Sequence, residues 1–133
     1  MGTRAEEERI IRELIERWAH AAHAGNLSEV LADHATDIVM FDVPPPNEGV
    51  HGIDAYSGTW PPFFEWQREA MFEIASLDVT AGDDVAFAYA LLRCDTPEGL
   101  AADPTKRLRL TIGLRKEGGR WIVSHEHHSF PIV

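Results

Sequence analysis

An α+β domain, with helices packed on one face of a curved sheet, is the fold class this sequence predicts, and three observations carry it. An amphipathic helical stripe opens the chain, long runs with two-residue alternation fill its last half, and the helices precede the strands instead of alternating with them. The length fits one such domain. Its 133 residues, 44 % apolar and 26 % charged, suit a single core, so residues 1–133 read as one unit.

From Ala5 to Ala24, Ile11, Leu14, Ile15, Trp18 and Ala22 fall at i, i+3, i+4, i+7 and i+11, one stripe of a 3.6-residue period. Thr3 with Glu6 reads as a capping box and Gly25 as the left-handed stop. Asn26, with Glu29 three residues on, caps a second helix expected over Leu27 to about His34. The period then changes: Asp37 to Asp42 reads as a short strand, ended by Pro44, Pro45 and Pro46, which cannot continue a ladder. Ile53 to Trp66 looks helical, but Pro61 and Pro62 predict a break, with the helix ending near Trp60 or a new turn starting at Pro61. Strands are expected over Glu69–Thr80, Val85–Cys94, Lys106–Lys116 and Arg120–Phe130, in antiparallel order, with turns at Gly82 and Gly118 and a polar loop from Asp95 to Thr105. In the third of these, Leu108, Leu110, Ile112 and Leu114 share the core parity, and Arg107, Arg109, Thr111 and Arg115 share the polar one.

Charge narrows the function classes. With 12 Lys and Arg against 22 Asp and Glu, the net charge is −10, which disfavours a phosphate-binding surface for nucleic acid and an anionic membrane surface. No apolar run approaches the roughly 20 residues of a membrane span. Cys94, the single cysteine, can form no intrachain disulfide, and Met1 to Arg4 leads into a charged helix without a signal-peptide core, so a cytoplasmic setting is expected.

Several segments in order resemble the SnoaL-like branch of the nuclear transport factor 2-like superfamily: Trp18 seven residues before Gly25-Asn26-Leu27, Leu31 to Ala35 running into Val39-Met40-Phe41-Asp42, Gly52 to Tyr56, and Gly119 to Ser129. That group includes ketosteroid isomerases, polyketide cyclases and the association domain of calcium/calmodulin-dependent kinases. The resemblance implies a cone, a bent sheet around a pocket closed by helices, and a homodimer. It names no single reaction, because one fold hosts many.

In the isomerase pattern the first strand ends on an aspartate that shuttles a proton beside a carbonyl, and Asp42 falls at that place. A carboxylate in an apolar pocket is suited to that work, since lost hydration lifts its pKa towards that of a general base. The other reading is an Asp capping the turn before the prolines. The pattern's oxyanion hole is altered here: Trp18 takes the place of a tyrosine, and Ile112 stands near the place of a protonated acid. Steroid isomerisation is therefore not expected, and Trp18 is either an indole donor to a ligand or a core residue beneath the sheet.

By simple alternation His125 and His127 share a face with Trp121 and Val123, while Glu126 and His128 share the other. Likeness to the kinase association domain would turn His128 and Glu126 into the cone, as a second acid/base centre beside Asp42 or as a polar pair satisfying itself. The opposite face, with Arg109, Thr111, Trp121, His125 and His127, would then be the dimer contact. His125 and His127 offer two metal ligands and nothing at recognisable spacing offers a third, so neither a metal nor a cofactor is expected. The family pattern turns Tyr89, Leu91 and Arg93 towards the pocket, with Arg93 as an anchor for an acidic or carbonyl group. Tyr56 and Trp60, four apart, would supply aromatic walls, or core. Cys94 has no partner base and takes no role. The expected function is a small-molecule binder for a mostly apolar carbonyl or hydroxyl compound. It would be either a cofactor-free isomerase, dehydratase or cyclase with Asp42 as base and His128, Glu126 or Tyr56 as proton donor, or a binding and dimerisation module without turnover.

Overall fold

The computed structural model describes residues 2–132. Its elements in chain order are α1 (Arg4–Ala24), α2 (Leu27–Leu31), β1 (His34–Phe41), β2 (Val50–His51), α3 (Ile53–Trp66), β3 (Met71–Ala81), β4 (Val85–Asp95), α4 (Pro97–Ala102), β5 (Leu108–Glu117) and β6 (Arg120–Ser129). The strands form one mixed six-stranded sheet in the order β2-β1-β6-β5-β4-β3, in which only the β1–β6 pair is parallel. The α+β expectation holds.

Local chemistry sets the first hairpin as read. Glu6 N–H donates to Thr3 Oγ1 at 3.1 Å and Thr3 N–H to Glu6 Oε2 at 3.3 Å, closing the capping box, and Gly25 takes φ 72°. The stripe Ile11, Leu14, Ile15, Trp18 and Ala22 is buried. Asn26 Oδ1 caps α2, which stops three residues earlier than expected because Ala32 leaves helical geometry and Asp33 adopts φ 58°. That early stop places His34 on β1.

Pro61 and Pro62 do not break α3, which runs to Trp66. Both prolines are exposed, as is Gly58, while Ser57 is half-buried. The Ser57 and Gly58 carbonyls that lose their i+4 donors therefore lie on the solvent side of the helix, where water can satisfy them. Inside the expected polar loop, Thr96 Oγ1 accepts from Gly99 N–H at 3.1 Å and Pro97 opens α4, a start signal that Thr-Pro carried in the sequence.

Two features of the sheet position the site. Ala88, Ala90 and Leu92 of β4 pair with Ile112, Leu110 and Leu108 of β5. Residues directly opposite share a face, so the apolar parity of β5 pulls Ala86, Ala88, Ala90, Leu92 and Cys94 into the core and turns Tyr89, Leu91 and Arg93 outward. On β6, register slips between Gly113 and Leu114: Gly113 faces His125 whereas Leu114 faces Val123, leaving Ser124 as an extra residue. The bulge reverses the alternation. Trp121 and Val123 before it and Glu126 and His128 after it all point inward.

Candidate active site

A pocket of about 370 Å³ opens between the end of β1, α3 and the far ends of β4, β5 and β6. Its walls are Met40, Trp60, Phe63, Trp66, Phe72 and Leu108, with Phe130 at one side. Only a few polar side chains line it: Asp42, His128, Thr59, Lys106 and the Cys94 thiol. An apolar cleft with a few convergent polar groups is the usual form of a small-molecule site.

Asp42 and His128 are the titratable pair on this wall, with His128 Nδ1 3.9 Å from Asp42 Oδ1. Asp42 follows β1 directly, and its Oδ1 accepts the Val43 N–H at 2.8 Å, so the turn-capping interaction is present together with a pocket-facing position. Its side chain is 25 % exposed, so it stands at the rim and not deep in the apolar pocket that the isomerase pattern implied. Lys106 pairs with Asp95 at 2.8 Å and lies 4.9 Å from the Phe130 ring centre, which holds its ammonium at the pocket mouth. Burial pushes the Cys94 thiol up to about 12, leaving it a neutral wall.

Behind His128 lies a closed polar cluster. The His128 Nε2–H donates to Glu126 Oε1 at 3.0 Å. Glu126 Oε2 receives the Tyr56 hydroxyl at 2.7 Å and the His34 Nε2–H at 3.0 Å, and Trp18 Nε1–H donates to the Tyr56 oxygen at 3.2 Å. The Glu126 side chain is fully buried and that of His34 is 1 % exposed. Burial alone would raise Glu126, but hydrogen bonds from His128 and His34 outweigh it and hold the carboxyl well below its usual range. For His34 and His128 burial works downward, and the hydrogen bond and charge of Glu126 override it, so both imidazoles are raised. Tyr56 is pushed far up, by burial first and by the neighbouring Glu126 charge second.

Asp42, His128 and Trp60 thus meet in the pocket, whereas Glu126, Tyr56 and Trp18 stand behind its wall. Trp18 packs edge-on against Trp60, Phe72 and His128, and its indole N–H is engaged by Tyr56. The Trp60 indole N–H is buried without a hydrogen-bond partner among the described residues. Two expected ligand contacts are corrected. Tyr89 is 54 % exposed on the outer face, and Arg93 lies there too, paired with Glu73 at 2.9 Å; the β4–β5 register puts both outside. The cation at the pocket is Lys106 instead. A third correction concerns Trp121, expected on an outer dimer face. The Ser124 bulge leaves it inside, 4 % exposed, with its indole donating to Glu7 Oε2 at 2.6 Å.

Sequence reading missed His34, which the predicted extension of α2 had placed in a helix. The positive-φ preference of Asp at a helix end was the signal that could have released it. His125 Nδ1–H is held by the Val39 carbonyl at 2.6 Å, and among the described residues no cluster of three or more His, Cys, Asp or Glu is placed to hold a metal ion. No helix among them is long and apolar enough to cross a membrane.

A bent sheet closed by helices over a pocket defines the cone class, and the comparisons narrow it. The chain belongs to the SnoaL-like domain family, whose model matches residues 11–133. Among solved structures, an NTF2-like protein of unknown function from Pseudomonas putida KT2440 is 35 % identical, with a TM-score of 0.86 over 99 % of this chain and 92 % of that one. A protein of unknown function with a cystatin-like fold from Nostoc punctiforme superposes with a TM-score of 0.74 at 14 % identity, covering 98 % of this chain and 96 % of that one. A ketosteroid isomerase-like protein from Erwinia carotovora atroseptica gives 0.68 at 17 % identity, covering 96 % and 98 %. At such identities the last two likenesses speak for the fold alone. No curated protein matches the chain.

Proposed function

We propose that the chain binds a small, mostly apolar carbonyl or hydroxyl compound in this pocket and transfers protons on it without a cofactor. The supporting observation is the Asp42–His128 pair, two titratable groups 3.9 Å apart in a mostly apolar pocket. In this reading Asp42 takes a proton from the carbon beside a carbonyl, and the His128 Nδ1–H gives one to the oxygen. Returning the two protons, one of them to another carbon, completes an isomerisation; loss of a neighbouring hydroxyl as water gives the dehydratase variant. Glu126 acts through His128 and touches no ligand, which revises its expected catalytic role. Lys106 offers an anchor for a carboxylate or second carbonyl at the mouth.

The test needs no knowledge of the natural substrate. A panel of small cyclic and aryl ketones is incubated with the protein in D2O, and deuterium entry beside the carbonyl is followed by mass spectrometry. Asp42→Asn and His128→Gln should each slow exchange by about 100-fold or more, while binding, read from the fluorescence of Trp60 and Trp66, persists. Binding without exchange above buffer would instead support the non-catalytic module. That second reading draws on the Val43 N–H bond that occupies Asp42 Oδ1, and on the exposed row Val85, Phe87, Tyr89 and Leu91 along β4. We place the homodimer contact on this row, where a second copy would cover it. Sedimentation showing only monomer at tens of micromolar (about the range where standard interfaces hold) would remove it. With Cys94 a buried free thiol, a cytoplasmic setting goes with this reading.

A further inference from the structure

The donors and acceptors around Glu126 are unequally shared between its two histidines. His34 Nδ1 lies 2.8 Å from the Ala32 carbonyl oxygen, which can only accept, so that nitrogen carries a proton. His34 Nε2 lies 3.0 Å from Glu126 Oε2 and 3.2 Å from the Tyr56 hydroxyl. The single Tyr56 proton points along the 2.7 Å line to Glu126, and its oxygen already accepts from Trp18, so the hydroxyl has no proton to give to His34. The Tyr56 hydroxyl donates to the Glu126 carboxyl, which the fold holds well below its usual range and so in the carboxylate form; the two ring nitrogens that face it, His34 Nε2 and His128 Nε2, must therefore both donate.

Both ring nitrogens of His34 are therefore donors. His128 differs: one nitrogen donates to Glu126, and the other, Nδ1, faces the pocket with Asp42 at 3.9 Å, beyond hydrogen-bond distance. We infer that His34 is a positioning residue, a fixed imidazolium that neutralises Glu126 and so leaves His128 free to exchange its Nδ1 proton with the occupant of the pocket. Left alone with one buried carboxylate, His128 would hold its proton too tightly to be a good acid near neutral pH. The charged and titratable groups facing His128 are Glu126 on its own strand, Asp42 beyond β1 and, through Glu126, Tyr56 of α3 and His34 of β1. Cys94 of β4 and Lys106 before β5 share its pocket.

This inference rests on His128 as the proton-transferring group of the proposed function, yet its test reads protons and not turnover. Nitrogen-15 spectra of the histidine rings in the wild-type protein should show His34 with two protonated nitrogens throughout about pH 5 to 8, while His128 titrates at Nδ1 alone. In His34→Gln, which keeps an N–H donor and drops the charge, the His128 midpoint should move to higher pH; Glu126→Gln should move it down. A neutral, singly protonated His34 in the wild-type spectra would overturn the inference without any variant. So would a His128 midpoint that stays put or falls in folded His34→Gln. Both results stand whether or not the ketone exchange assay detects catalysis.

Discussion

On its pocket side β6 presents His128 across an open 3.9 Å gap from Asp42, among tryptophan, phenylalanine and leucine walls; on its closed side Glu126 receives three donors within 3.0 Å. The two regions share one residue, His128, and treat charge in opposite ways. In the closed cluster every donor meets an acceptor, so hydrogen bonds and burial fix the charge state. At the pocket wall a nitrogen and a carboxylate oxygen are left unbonded to each other, which is the condition a proton-transfer site needs. A dry, satisfied cluster can set the state of a group that remains chemically available at its edge.

The strongest way to break this contrast is to empty the closed side. Glu126→Ala leaves two buried imidazoles without their counter-charge and should cost about 3–5 kcal/mol in urea denaturation; a loss under about 1 kcal/mol would mean the cluster carries little charge. Trp18 sits beneath both regions. Trp18→Ala should cost about 3–5 kcal/mol through the cavity it leaves, whereas Trp18→Phe should cost roughly 1 kcal/mol through the lost bond to Tyr56 and leave ketone binding in place. Disappearance of binding in the Phe variant with an unchanged melting curve would make the indole a ligand donor.

The acid and base limbs of stability should separate the members of the cluster. Glu126 is depressed in the fold, so its contribution is complete above its unfolded value of 4.5 and is lost as pH falls towards about 2. Glu7, Asp37 and Asp95, each lowered first by a hydrogen bond from Trp121, Arg115 or Lys106, lose theirs on the same limb. His34 and His128 are raised, so their contribution is complete below 6.5 and is lost as pH climbs through their folded values. Melting temperature should therefore peak between about pH 4.5 and 6.5, and Glu126→Gln should flatten the basic limb. A basic limb unchanged in that variant would detach the histidines from Glu126. The smallest effect belongs to the outer face. Arg93→Ala removes an exposed pair with Glu73 and should change stability by less than about 0.5 kcal/mol, with ligand affinity unmoved, whereas Lys106→Met should weaken ligands that carry a carboxylate more than neutral ones.

How much of this was legible from residues alone differs by element. The capping box at Thr3, the stripe on α1, the turn glycines and the core parity of β5 depend on neighbours within a few residues, and local physics sets them. The ordered segments that resemble the SnoaL-like family also span most of the chain, so the cone could be expected, and Asp42 and His128 could be named as candidates. Their meeting could not be derived from spacing, because 86 residues separate them in sequence.

What tertiary structure decided was mostly which way side chains face. On β4 the larger apolar residues, Phe87, Tyr89 and Leu91, look like the inner set, yet pairing with β5 sends them outward and keeps the alanines inside. On β6 an alternation with period two fails at one extra residue, Ser124, and that slip puts Trp121 in the core on the same side as Glu126 and His128. His34 became part of the cluster because α2 ended early and β1 lies parallel to β6. Sequence by itself determined the elements and the fold class, since those follow from short-range periodicity and capping. The site was settled by strand register, because a shift of one residue exchanges the inner and outer faces and no local signal opposes it.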